Sequence, residues 1–165
     1  MASLQPLVER ARGLMGRDVS GLGPPAKGVV TLVRERSDQL FYVYAGAKGR
    51  LMLDPRKFFR TTRLFERNVA FLRDARPRFY LRGVPTLDSF EALLDWQTAL
   101  PQQLAHVRRR FCLGTSMGAY AAILFGHLLK VEQVWAFGPP LTLLGRFEEA
   151  PPAHRDLALL LSSPN

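Results

Sequence analysis

One cysteine, three histidines and no long apolar run in 165 residues narrow the chemistry before any motif is considered. A lone Cys112 cannot close an internal disulfide, and no Cys/His cluster has metal-ligand spacing, so neither a disulfide scaffold nor a metal site is expected. A reducing, cytoplasmic compartment fits that usage. The first twenty residues break their apolar positions with Glu9, Arg10, Arg12 and Arg17 and lack the continuous apolar core of a signal peptide. The most apolar stretch, Met117 to Leu129, is shorter than the roughly 20 residues that span a bilayer and runs directly into Lys130, so it reads as a core helix. Acidic residues are also few, 14 against 23 basic, which leaves a net charge of +9. The arginines are scattered rather than gathered in a stripe with interleaved aromatics, which argues against a nucleic-acid partner and leaves only a loose attraction to anions. Nucleotide cofactors find no motif either. Gly21-Leu22-Gly23-Pro24-Pro25 lacks the third glycine of a dinucleotide fingerprint and follows no strand, so no cofactor is expected.

What is present supports one cored domain, since 47% of the residues are hydrophobic and the length is too small to argue for two. Residues 1–27 read as an N-terminal helix and linker: Leu4, Leu7, Val8, Ala11 and Leu14 share one helical face, and glycines and prolines follow. Residues 28–165 form the domain proper. Gly28 to Arg34 and Gln39 to Ala45 read as strands joined by the turn Glu35-Arg36-Ser37-Asp38, hence a hairpin. The second run, Leu40-Phe41-Tyr42-Val43-Tyr44, is apolar at every position and suits a strand covered on both faces. Asp54 to Arg67 reads as irregular and basic, Val69 to Leu72 as a third strand, and Phe79 to Leu81 as a short extension. Asp88 with Glu91 resembles a capping pair for a helix carrying Phe90, Leu93, Leu94, Leu100 and Leu104, which Pro101 should kink or divide. Asp88, Glu91 and Asp95 read as a solvated face, and Trp96 and Trp135 as core or contact residues. The strand Arg109 to Leu113, a tight turn, the helix and a strand from Val131 to Phe137 complete an alternation of βαβ type.

The turn between the last strand and helix pair is Gly114-Thr115-Ser116-Met117-Gly118. A G-x-S-x-G pattern arises by chance in a chain of this length roughly one time in twenty, so context carries the weight. A buried strand directly before and a helix directly after are the arrangement that presents a nucleophilic serine on a strained turn, with Gly114 and Gly118 required by close packing. The Met117 N–H, at the helix start, can stabilise an oxyanion, and a second donor is expected from Gly46 or Ala47 in the loop after Tyr44. The competing reading makes the glycines packing residues and Ser116 a helix N-cap. Arg34, Arg36, Lys48 and Arg50 cluster in sequence near that loop and would attract an anionic substrate.

Gly114 to Ala122, together with Phe137-Gly138-Pro139, resembles the serine α/β-hydrolases, in particular compact bacterial members, with Ala119 where that family usually has glycine. The resemblance implies an α/β fold, a three-layer αβα sandwich on a mostly parallel sheet, and hydrolysis of ester, thioester or related small-molecule acyl substrates through an acyl-enzyme on Ser116. It also implies an acid and a histidine after the serine. His106 precedes the elbow strand and lies toward its far end, and His127 points away along the helix. His154 remains, with Glu148 or Glu149 to orient it, and Glu149 is the acid taken here. That triad is compressed, and the apolar Leu157 to Leu161 reads as the lead-in to another strand. A short or truncated domain, a completing second chain, or a catalytically incomplete binding protein of the same fold are the three expectations. An unpaired sheet edge would favour a homo-oligomer.

Overall fold

The computed structural model describes residues 28–76 and 78–140. The segment with no polar interruption takes the middle of the sheet. Strand β2 (Gln39–Tyr44) pairs in parallel with β3 (Asn68–Leu72) on one side and with β4 (Arg109–Thr115) on the other. A strand apolar on both faces is stable only where both faces are covered. Outward from this centre, β1 (Val29–Leu32) lies antiparallel to β3, and β5 (Gln133–Phe137) lies parallel to β4, giving the order β1-β3-β2-β4-β5.

Helices cover both faces of this mixed sheet. Leu40, Tyr42, Tyr44, Ala70, Leu72 and Cys112 pack against Leu93, Trp96 and Leu100 of α2 (Phe90–Gln103) and Ala121, Ala122 and Phe125 of α3 (Met117–Leu128). The alternate residues Phe41, Val43, Val69, Phe71, Phe111 and Leu113 face Phe58 and Phe59 of α1 (Pro55–Thr61). The period-two alternation of strand side chains divides the core in this way. Glu91 and Asp95 lie on the exposed side of α2, while Trp96 is buried. Trp135 is 39% exposed, stacked on Phe111 and Phe41 at the β5 margin. Val134 and Phe137 are exposed on the same strand.

Several expectations are corrected. The hairpin does not form: β1 and β2 are separated by β3, and the connection between them runs past the start of β3. Asn68 holds it there, donating to the carbonyls of Ser37 and Gln39 and accepting from the Arg34 N–H. The segment after Asp54 is not irregular but contains α1, whose first N–H groups, of Arg56 and Lys57, are capped by the Asp54 carboxylate ahead of Pro55. Ser89, not Asp88, caps α2 by accepting from the Ala92 N–H. Phe79 to Leu81 is a turn, with Phe79 and Tyr80 both at positive φ.

Pro101 neither divides nor ends α2, which continues to Gln103. A proline cannot donate to the carbonyl four residues back. That carbonyl belongs to Gln97, and the Tyr42 hydroxyl donates to it at 2.6 Å. The Gln97 side chain completes the buried cluster: its Oε1 accepts from the Tyr44 hydroxyl and its Nε2 donates to the Leu93 carbonyl. Sheet and helix are thus joined through a buried glutamine bonded at its main-chain carbonyl, its Oε1 and its Nε2.

Tyr42→Phe strands the Gln97 carbonyl in the core and is expected to lower stability by about 1–3 kcal/mol, read as a fall in the urea midpoint at unchanged slope. Burial also pushes the Cys112 thiol up to about 12 and raises Tyr42, Tyr44 and Tyr80 above the ordinary phenol range. Well below pH 9.0, the ordinary value of a free thiol, these groups are protonated in folded and unfolded chains alike. As pH rises further the unfolded chain ionises first, so stability falls, by about 1.4 kcal/mol per pH unit from Cys112 alone until its folded value is reached. Urea midpoints measured between about pH 9 and pH 11 should decline monotonically, and a flat profile would contradict this burial.

Candidate active site

The site lies where the sheet changes direction. From β2 the chain passes by α1 to β3 on one side, and from β4 it passes by α3 to β5 on the other. A crevice opens beyond the carboxyl ends of neighbouring strands whose connections leave in opposite directions. Here those strands are β2 and β4, and their exit loops begin at Ala45 and Ser116.

Ser116 stands between β4 and α3 with φ 52° and ψ −123°, a backbone conformation that a non-glycine residue adopts only when its surroundings force it. Its N–H donates to the Phe137 carbonyl at 2.8 Å, which extends the β4–β5 ladder, and its carbonyl accepts from Ala119 at 2.9 Å. The side chain is exposed. Ser116 occupies the N-cap position, as the competing reading expects, but its hydroxyl makes no capping bond.

Steric contact accounts for both flanking glycines. A Cβ on Gly114 would run into the Gly118 carbonyl and lie 2.7 Å from the Ala119 nitrogen, and one on Gly118 would run into the Tyr44 carbonyl and lie 2.6 Å from that of Ala45. The first turn of α3 is therefore pressed against the end of β2. Beside it, the loop after β2 closes on itself through backbone groups. Gly46 N–H donates to Arg50 O at 2.8 Å, Gly49 N–H donates to Gly46 O at 3.1 Å, and the Thr115 hydroxyl donates to Arg50 O at 3.2 Å. Gly46 is close enough to Ser116 that a Cβ there would lie 3.4 Å from that of the serine.

Of the expected oxyanion donors, Met117 and Ala47 have N–H groups with no backbone acceptor among the described residues. Gly46 donates its N–H to Arg50 in closing the loop, so of the two loop candidates it is Ala47 whose N–H has no such partner among the described residues. The basic cluster divides. Lys48 and Arg50 are exposed on this loop, but Arg34 and Arg36 follow β1, whose antiparallel direction carries them to the opposite edge, where Arg34 bonds to Asn68 and Phe65.

His106 is at that opposite edge too, its Nε2 3.3 Å from Asn68 Oδ1, and His127 is in the last turn of α3, about 15 Å of helix rise from Met117. Neither can reach Ser116. His154, Glu148 and Glu149 lie outside the described residues, as do the expected helix from Leu4 to Met15 and the run Leu157 to Leu161. Among the described residues no group of three or more His, Cys, Asp or Glu is arranged to hold a metal, and no helix is long and apolar enough to cross a membrane.

The sequence reading missed the segment after β3. Asp74, nearly buried, accepts from the backbone N–H groups of Arg76 at 3.0 Å, Arg78 at 2.8 Å and Tyr80 at 3.1 Å. The fully buried Tyr80 places its hydroxyl 2.7 Å from Ala45 O and 3.0 Å from Leu72 O. An aspartate with polar residues two and four positions on is the local signal for such a turn. Arg73 is also buried, over the Phe71 ring and against Gly49, and burial lowers its pKa. Comparison with protein-family models, with curated proteins and with solved structures finds no match.

Gly118→Ala should displace α3 from β2, with a stability loss of about 1–3 kcal/mol or more in urea unfolding, whereas Ala119→Gly, at a position that tolerates a side chain, should cost only about 1 kcal/mol of helix propensity.

Proposed function

We propose that this chain is a serine acyl hydrolase of α/β-hydrolase type, acting on small-molecule esters, thioesters or related acyl compounds. The observation that carries this reading is the strained Ser116, whose exposed hydroxyl caps nothing while the Met117 N–H stands next to it at a helix start. Supporting it are the sheet crossover beneath the site, the glycine contacts at Gly114 and Gly118, and the approach of Gly46 to Ser116. In the reaction the Ser116 hydroxyl attacks the carbonyl carbon as a histidine takes its proton. The oxyanion is held by the N–H groups of Met117 and Ala47. Return of the proton expels the leaving group, and water then releases the acid from the acyl-enzyme by the same route. His154, oriented by Glu149, is the base we assign to the chain itself. Exposed Lys48 and Arg50 favour an anionic acyl compound. The compartment we propose is the cytoplasm, in keeping with the unpaired, buried Cys112. A second copy or a completing chain would meet the outer side of β5, where Val134, Trp135 and Phe137 are exposed.

One observation favours a second reading, a binding protein that keeps the fold without turnover: neither described histidine lies near Ser116. Fluorophosphonate labelling followed by intact mass decides between them. The hydrolase reading expects a single adduct that Ser116→Ala abolishes and His154→Ala slows by about 100-fold or more. A folded protein that takes no adduct would leave the binding reading.

A further inference from the structure

The carbonyl of Ala45 is the point at which three parts of the site meet. Gly118 of the elbow helix is packed against it, the loop from Gly46 to Arg50 begins from it, and the Tyr80 hydroxyl donates to it at 2.7 Å. A peptide unit is planar, so its C=O and the following N–H point in opposite directions and cannot turn independently. The Ala45–Gly46 unit is fastened at both ends: the carbonyl by Tyr80, the N–H by Arg50 O at 2.8 Å. The next N–H along the chain is that of Ala47. Only the Gly46 dihedrals separate the fastened plane from that donor.

Tyr80 is itself held with unusual thoroughness. Asp74 accepts from its backbone N–H at 3.1 Å, and Phe79 and Tyr80 are consecutive non-glycine residues at φ 59° and 65°. Such conformations persist only where surrounding contacts dictate them, and they gather at functional sites. Phe79 meets the ring of Tyr120 edge-on, with centroids 5.8 Å apart, and Tyr120 is in the first turn of α3, four residues beyond Ser116. The segment thereby touches both the donor loop and the nucleophile helix. Its turn is closed by a buried carboxylate and two left-handed residues where the chain had only to pass from β3 toward α2.

We propose that Tyr80, locked in place by Asp74, is a positioning residue that sets the Ala47 N–H against Ser116 by fixing the Ala45–Gly46 peptide plane. The role rests on the acyl-hydrolase reading for its catalytic consequence, but the fixing of the plane does not. Tyr80→Phe removes only the hydroxyl and keeps the ring. Its labelling by fluorophosphonate, and kcat on p-nitrophenyl butyrate, should fall by about 10- to 100-fold, as expected for an oxyanion donor moved by a fraction of an ångström. KM and the pH midpoint of labelling should stay within about twofold and a few tenths of a unit, since neither substrate contact nor base is touched.

Tyr42→Phe is the control for a purely structural effect, because it also deletes a buried phenol hydroxyl under the same sheet: it should lose stability and label at the wild-type rate. Amide hydrogen exchange supplies a readout free of activity. Gly46 N–H should exchange at least about tenfold faster in Tyr80→Phe and be unchanged in Tyr42→Phe. If wild-type protein takes no adduct, the hydrolase reading fails while accelerated exchange at Gly46 still upholds the positioning role. Wild-type labelling and wild-type Gly46 exchange in folded Tyr80→Phe would overturn it.

Discussion

The approach of α3 to β2 at Gly118 is the constraint on which the site depends. Helix backbone rests on strand carbonyls there with no side chain between them, and that contact sets how far the Ser116 turn can stand from the loop after β2. Such an approach needs small residues beyond the turn as well. Ala119, Ala121 and Ala122 let the helix lie flat on a sheet whose own side chains at that point are the large Tyr44 and Cys112. The strain in Ser116 is the local expression of this packing. A chain that must leave a strand and enter a helix within one residue cannot keep ordinary dihedrals, and the stability of the layers around it holds the turn in place.

A second, buried polar arrangement fixes the rest of the sheet against α2. Gln97 would be an expensive residue in an apolar layer if any of its groups lacked a partner. Its carbonyl is open because Pro101 cannot donate, its amide is claimed by a helix carbonyl and a tyrosine, and two adjacent residues of one β2 face supply the hydroxyls. Proline in a helix, usually a fault, here supplies the acceptor that registers helix on strand. Tyr42 and Tyr44 lie two apart, so they rise on the same face. That spacing ties α2 to β2 in one register only.

Sequence reasoning reached the features written as local pattern. The unbroken apolar run of β2, the strand before Gly114, the helix after Ser116 and the close-packing glycines each carry their signature in a few adjacent residues. Asp54-Pro55, an N-cap followed by the residue best suited to the first helical position, is an equally local signal, but the surrounding arginines obscure the apolar face of the helix it starts. The failures concern non-local pairing. Nothing in Glu35-Arg36-Ser37-Asp38 distinguishes a hairpin turn from a connection that passes a third strand, because the deciding contact is made by Asn68, some thirty residues on. The expected grouping of Arg34 and Arg36 with Lys48 and Arg50 rests on closeness in sequence, and the direction of β1, opposite to that of β2, separates the two pairs. Tyr80 reads as one more aromatic until its hydroxyl is seen against Ala45, a contact across thirty-five residues.

The loop from Gly46 to Arg50 is closed on itself by main-chain groups, and among the described residues the hydroxyls of Thr115 and Tyr80 tie its two ends to the rest of the site. The exposed side chains of Ala47, Lys48 and Arg50 supply none of the bonds that close the loop, although Lys48, at φ 64°, stands where a β-branched residue would be strained. Sequence drift at those positions can therefore redraw the charge and bulk beside Ser116 while the main-chain bonds of the loop are kept. The backbone around the Ser116 turn and the surface beside it are thus set by different residues, and the two are free to evolve at different rates.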